Sequence, residues 1–72
     1  MVTLRFFAAA RAAVGSPSLS VAPGAIGDVI AAFGSPVLDR CSVLVNGISA
    51  TDPSQLLVDG DVVDLLPPFA GG

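Results

Sequence analysis

The stretch "AIGDVIAAF", residues 25–33, decides the fold of this 72-residue chain. Its large apolar side chains follow the spacing i, i+3, i+4 and i+7, which is the apolar stripe of an amphipathic helix: Ile26, Val29, Ile30 and Phe33. Gly34 is predicted to end the helix, and Pro36 is predicted to prevent its resumption. Such a stripe must be buried against another layer, so the flanking sequence has to supply a sheet.

The residues before this helix predict two strands joined by a short helix. Apolar and polar side chains alternate in "VTLRFF" (residues 2–7) and again in "SLSVA" (residues 18–22). Between them, the alanine-rich residues 8–14 stop at Gly15 and predict a short helix with a glycine just past its end.

The residues after the helix predict three more strands. In "SVLVNGISA" (residues 42–50), two apolar runs flank Asn46–Gly47, a pair favoured in type I′ hairpins. Residues 53–57 are interpreted as one helical turn, and a turn at Asp59–Gly60 precedes a last strand over residues 61–66. This order predicts an α+β fold of the ubiquitin-like β-grasp type, in which a mixed five-stranded sheet packs on one main helix. The position of the last strand beside the first is taken from analogy with that fold.

The composition excludes several classes of function. The 72 residues form one domain, and they include no His, Glu, Lys, Tyr or Trp. The imidazole metal ligands, the Schiff-base lysine and most general bases are therefore missing, so we expect no metal site and no bound cofactor. A net charge of −3 with three arginines argues against nucleic acid and anionic membranes as partners.

A cytoplasmic location is expected from the cysteine content and from the length of the apolar runs. The single cysteine, Cys41, excludes an intramolecular disulfide, suits a reducing compartment and is interpreted as a small core residue. The longest apolar run covers residues 6–10, which is far too short for a membrane span, and no signal peptide is recognised.

One face of the predicted sheet is left without a covering helix. Strand alternation places a set of apolar side chains on that face, edged by Arg5 and Asp64: Phe7, Leu44, Val62 and Leu66. An apolar patch with charged neighbours on a small domain indicates a docking surface. The alternative is a scatter of exposed apolar side chains, which every protein has.

Residues 67–72 are predicted to form an extended tail outside the domain of residues 1–66. Two prolines prevent the sheet ladder from continuing, and the six residues span at most about 20 Å: Pro67, Pro68, Phe69, Ala70, Gly71 and Gly72. The diglycine fits a channel too narrow for a Cβ atom. A carboxylate at Gly72 is a poor electrophile, so its chemistry would require activation, most simply as an acyl-adenylate made from ATP by a partner enzyme.

Four segments together resemble the MoaD–ThiS family of sulfur carriers: "FFAAARAAVG", "VLVNG", "DGDVV" and "LLPPFAGG". Within the family, the chain is most similar to the small subunits of molybdopterin synthase. The resemblance implies that a MoeB/ThiF-like enzyme adenylates Gly72, which then becomes a thiocarboxylate. It also implies that the tail enters a MoaE-like large subunit, which carries the catalytic residues and uses the sulfur to make molybdopterin. The family contacts that match by position are Phe7, Arg11, Leu66 and the tail.

The residues leave other functions open. The chain could be a ubiquitin-like modifier whose Gly72 becomes linked to lysines of target proteins. It could carry sulfur for thiamine, cysteine or tRNA thiolation, or it could be an unprocessed binding module. All but the last require the same activation of Gly72.

Overall fold

The computed structural model describes residues 1–68, so the predictions for Phe69, Ala70, Gly71 and Gly72 lie outside the described residues. Five strands and three short helices follow one another in this part of the chain. They are β1 (Val2–Phe6), α1 (Ala9–Val14), β2 (Ser18–Val21), α2 (Ile26–Ala31), α3 (Pro36–Asp39), β3 (Ser42–Val45), β4 (Ile48–Ser49) and β5 (Val62–Leu66).

The five strands form one mixed sheet in the order β2-β1-β5-β3-β4. β1 and β5 are parallel, and the other neighbouring strands are antiparallel. The predicted α+β arrangement is confirmed, including the position of the last strand beside the first. β5 is therefore the central strand, so the chain leaves the sheet from its middle.

The core lies between the sheet and the helices. Alternate residues of β1 and β5 point to this side and are almost completely buried: Val2, Leu4, Phe6, Val63 and Leu65. Ile26 of α2 and Leu38 of α3 are buried against them. The rings of Phe6 and Phe33 meet edge to face, with centroids 5.7 Å apart. The apolar stripe predicted for residues 25–33 thus faces the core.

The backbone N–H groups at the start of α2 donate hydrogen bonds to a distant loop and not to a capping side chain. Ala25 occupies the N-cap position and has no side-chain acceptor. Instead, the Ile26 N–H donates to the carbonyl of Gln55 at 3.0 Å, and the Gly27 N–H donates to the carbonyl of Pro53 at 2.9 Å. The helical turn predicted for residues 53–57 is wrong, because this segment makes a turn and a bridge between Leu56 and Ala25.

The helix α3 departs from the sequence prediction, in which Pro36 keeps the chain out of a helix. Pro36 instead takes the first position of α3, where its missing N–H costs nothing. The Ser35 hydroxyl accepts a hydrogen bond from the Leu38 N–H at 3.3 Å and caps this helix. α3 places Leu38 in the core and Arg40 at its exposed C-terminal end.

The turns agree with the sequence analysis. Asn46 and Gly47 both have positive φ, of 51° and 82°, as the predicted type I′ hairpin requires. Gly15 ends α1 in the left-handed conformation, and its N–H donates to the Arg11 carbonyl at 2.8 Å. Within residues 1–68, no helix has the length and hydropathy that a membrane span requires.

Candidate functional site

The sheet face opposite the helices, here called the open face, is built from the outward residues of the three middle strands. The register aligns Arg5 of β1, Asp64 of β5 and Leu44 of β3 in one row across the sheet. The neighbouring row aligns Thr3 with Val62, and the row nearer the tail aligns Leu66 with Ser42. Five of the six predicted positions therefore share this face: Arg5, Leu44, Val62, Asp64 and Leu66.

Arg5 and Asp64 form an ion pair in the middle row of the open face, and they do not merely edge the patch as predicted. Arg5 Nη2 donates to Asp64 Oδ2 at 2.8 Å, and Arg5 Nε donates to Asp64 Oδ1 at 2.5 Å. The Arg5 side chain is 51% exposed and that of Asp64 is 15% exposed. This bidentate geometry holds the guanidinium across β1 and β5. It places a charged pair within an apolar surface.

The apolar residues of the open face are partly covered by their neighbours. Phe7, Leu44, Val62 and Leu66 are each half-buried, where the sequence predicted free exposure. Phe7 follows β1 directly, and its N–H donates to the Leu65 carbonyl at 3.3 Å, which holds it level with the end of β5. Cross-strand packing explains the partial cover, because side chains on adjacent strands of one face touch each other. These four residues stay predictions as partner contacts.

Arg11 lies apart from this face, on the helix α1. Its side chain is exposed in the last turn of the helix. No ion pair found within residues 1–68 involves Arg11 or Arg40. Its role as a partner contact stays a prediction.

The root of the tail is fixed by a buried proline. β5 ends at Leu66, Pro67 is buried, and Pro68 is exposed in a turn. The ladder therefore stops where the two prolines were predicted to stop it, at the same end of the sheet as Leu66 and Phe7. The remaining predicted tail residues, from Phe69 to Gly72, lie outside the described part of the chain.

The other end of β5 holds a polar network that sequence analysis did not predict. Asn46 donates its side-chain amide to Asp61 Oδ1 at 2.9 Å and accepts the Val62 N–H at 2.9 Å. The Val58 N–H donates to Asp61 Oδ2 at 2.9 Å. These donors lower the pKa of Asp61, the backbone N–H of Val58 contributing most. The network ties the β3–β4 turn to the start of β5, so Asn46 has a second role beyond its φ angle.

Cys41 has none of the features of an activated thiol. It is half-buried against the core, and its thiol donates to the Val37 carbonyl at 3.3 Å. Burial raises the pKa of the thiol, which disfavours the reactive thiolate. Within residues 1–68, no group of three His, Cys, Asp or Glu side chains is arranged to hold a metal ion.

The mixed five-stranded sheet, with helices on one face and a tail leaving its central strand, defines a ubiquitin-like β-grasp domain. The chain belongs to the ThiS family, whose family model matches residues 4–72. No functionally curated protein gives a significant match to the chain.

Solved structures agree with this assignment. The HVO 2177 protein of Haloferax volcanii is 31% identical with a TM-score of 0.74, over 99% of this chain and 85% of that one. SAMP1 of the same organism is 26% identical with a TM-score of 0.77, over 99% and 98% of the two chains. A chain in the complex of subunits 1 and 2 of the Helicobacter pylori molybdopterin-converting factor is 25% identical with a TM-score of 0.73, over 99% and 97%. The family thus joins sulfur carriers and ubiquitin-like modifiers in one fold.

Proposed function

We propose that this chain is a sulfur carrier for molybdopterin biosynthesis in the cytoplasm and has no catalytic activity of its own. A MoeB/ThiF-type enzyme would join the Gly72 carboxylate to the α-phosphorus of ATP and release pyrophosphate. Hydrosulfide, delivered by a sulfur donor, would then displace AMP and leave a thiocarboxylate at Gly72. The tail would carry this sulfur into a MoaE-like large subunit.

The observation that supports the proposal most is the position of the tail within a ThiS-family chain. The family match extends through Gly71 and Gly72. The chain leaves the sheet at the buried Pro67, directly after the end of the central strand. A fixed exit point at Pro67 suits delivery of the tail into a partner's channel. The likeness to a chain in the complex of molybdopterin-converting factor subunits favours a large subunit as that partner.

The proposal is tested on the purified chain with a MoeB/ThiF-type enzyme from the same organism, ATP and a sulfide donor. We expect the chain to gain the mass difference between sulfur and oxygen, at its C-terminal glycine alone. The sulfur-bearing chain should then restore molybdopterin synthesis only when the large subunit is added.

Two variants test whether the terminus is the reactive group. Deleting Gly72, or adding one residue after it, should abolish the mass change and leave the free energy of unfolding within about 0.5 kcal/mol, since the last buried residue of the described chain is Pro67. A chain with one residue added before Met1 is the matched control and should react normally. Full reaction of the C-terminally extended chain, without trimming, would contradict the proposal.

A second function is favoured by the likeness to SAMP1, which belongs to the small archaeal modifier proteins. In that case the activated Gly72 would form isopeptide bonds with lysines of other proteins. Adducts of higher mass on cellular proteins, which depend on Gly72 and ATP, would identify this function. A carrier for thiamine, cysteine or tRNA thiolation would form the thiocarboxylate without restoring molybdopterin synthesis.

A further inference from the structure

We propose that a pocket at the root of the tail is a docking point for the activating enzyme, separate from the open face. This tail-root pocket is lined by Ala9 of α1, by three residues of the α3 region and by the two prolines of the tail: Pro36, Val37, Arg40, Pro67 and Pro68. Its occupant is an apolar side chain of that enzyme with a carboxylate beside it. This inference rests on the proposed function, because it concerns the enzyme that activates Gly72.

The pocket adjoins the point where the chain leaves the sheet. Pro67 is buried and fixes the exit of the chain, and Pro68 follows it on the pocket wall. An enzyme that takes the next four residues into its active site must bring its surface within about 14 Å of this wall, since those residues can span no more. The pocket is therefore within reach of an enzyme that engages the tail.

The lining specifies the chemistry of the occupant. The pocket has a volume of about 310 Å³, and five of its six lining residues are apolar. The two tail prolines also lack backbone N–H groups, so they offer no donor to a polar partner. Arg40 is the one charged residue of the lining, and its exposed guanidinium can bind a carboxylate with two parallel hydrogen bonds.

The distribution of charge favours an acidic partner at this end of the molecule. The chain has six aspartates and three arginines, and Arg5 is already held by Asp64. Asp59 and Asp61 precede β5, at the end opposite the tail. Asp39 is on α3 but lines a different groove, which does not include Arg40. A carboxylate on the enzyme is thus attracted to Arg40 and repelled by Asp61 at the opposite end, which orients the encounter.

The activating enzyme is the appropriate partner because every carrier or modifier function of this chain begins with it. Sulfur transfer to any acceptor and isopeptide formation all start from the same acyl-adenylate. The tail-root pocket does not depend on the final acceptor of the sulfur or of the acyl group. We therefore assign it to the formation of the acyl-adenylate, the step that all these functions share.

The test measures ATP–pyrophosphate exchange by the MoeB/ThiF-type enzyme at increasing concentrations of the full-length chain. Arg40→Ala should raise the KM for the chain by about tenfold or more, which is the value expected for loss of one charge-assisted hydrogen bond. It should leave kcat unchanged, because Arg40 is assigned to docking and not to the adenylation step. Arg40→Glu should raise the KM further, and Arg40→Lys should recover part of the loss.

The control is Thr51→Asp, which changes the net charge by the same amount as Arg40→Ala at an exposed position lining the other groove. Ala9→Leu, which narrows the pocket from an exposed position without altering charge, should raise the KM as well. All variants should keep the thermal midpoint of the parent chain.

The outcomes separate this inference from the proposed function. If the parent chain is activated and Arg40→Ala behaves like Thr51→Asp, the pocket is not a docking point and the proposed function stands. If the parent chain supports no exchange, the proposed function fails and this inference fails with it. A selective rise in KM for the Arg40 and Ala9 variants supports the inference.

Discussion

The carboxylate of Asp61 accepts hydrogen bonds from the Val58 N–H and from the Asn46 side chain, both at 2.9 Å. Because these bonds favour the charged form, they hold the pKa of Asp61 below its ordinary value. A group with a lowered folded-state pKa stabilises the fold above its unfolded pKa, which is about 3.9 for Asp, and loses that contribution as the pH falls through the folded value.

We therefore predict that Asp61→Asn lowers the stability at pH 7 and flattens its dependence on pH. For the parent chain, the denaturant midpoint should fall as the pH is lowered from about 5 to 3. The variant should show a smaller fall over the same range. Asp39→Asn, the same charge change at an exposed position on α3, serves as the control. An identical slope for the parent chain and for Asp61→Asn would show that the network contributes nothing.

At the scale of the elements, the contact between α2 and the loop before β5 joins segments that are distant in the chain. A Cβ built on Gly27 would lie 3.0 Å from Pro53 Cβ and 3.3 Å from the Pro53 carbonyl oxygen. The same carbonyl accepts the Gly27 N–H, so the loop cannot retreat without weakening that bond. Gly27 is thus required by a close approach, although it lies within a helix.

We predict that Gly27→Ala destabilises the domain, although alanine is the better helix former. The gain in helix propensity is about 1 kcal/mol, and the overpacking costs about 1–3 kcal/mol, so we expect a net loss of up to about 2 kcal/mol. Gly24→Ala is the control, because its Cβ would make only an ordinary contact of 3.6 Å with Val29. Denaturant unfolding measures both. A more stable Gly27→Ala variant would mean that the loop yields easily.

The same contact shows what the sequence could and could not predict. The stripe of α2, the Asn46–Gly47 hairpin and the alternation of β1 and β5 are local patterns, and all three are present in the structure. α3 was missed because a proline can begin a helix as well as end one, and only the Ser35 cap distinguishes the two. The capping of α2 by Pro53 and Gln55 joins residues 26 and 29 positions apart, which no local pattern reports.

At the scale of the whole molecule, the sheet order explains why the candidate sites lie where they do. β5 is the central strand and is parallel to β1. The Asp61 network lies at the start of β5, and the buried Pro67 lies at its end. Phe7, Leu66 and the tail root meet at the second end, on or beside the open face. The sequence predicted the members of this surface, but it overestimated their exposure, because cross-strand cover depends on the register of three strands that are distant in the chain.

The open face leads to the last prediction, which concerns Phe7 and Leu66. Because both side chains are half-buried, truncation to Ala should cost about 1 kcal/mol of folding stability, less than the 2–5 kcal/mol that truncation of a core residue costs. If these residues are central to a partner interface, each truncation should weaken binding of the large subunit by about 2 kcal/mol or more. Binding is measured by titration and stability by denaturant unfolding.

The matched control is Leu19→Ala, an apolar truncation on the edge strand β2. Leu19 is 39% exposed, and its pairing with the buried Leu4 places it on the helix side of the sheet. Its truncation should leave the affinity for the large subunit unchanged. If Phe7→Ala and Leu66→Ala lower stability but bind the large subunit as tightly as the parent chain, the two residues only support the fold. Docking must then depend on the tail, on the surface around its root, or on the other predicted contacts, which are Arg11, Leu44 and Val62.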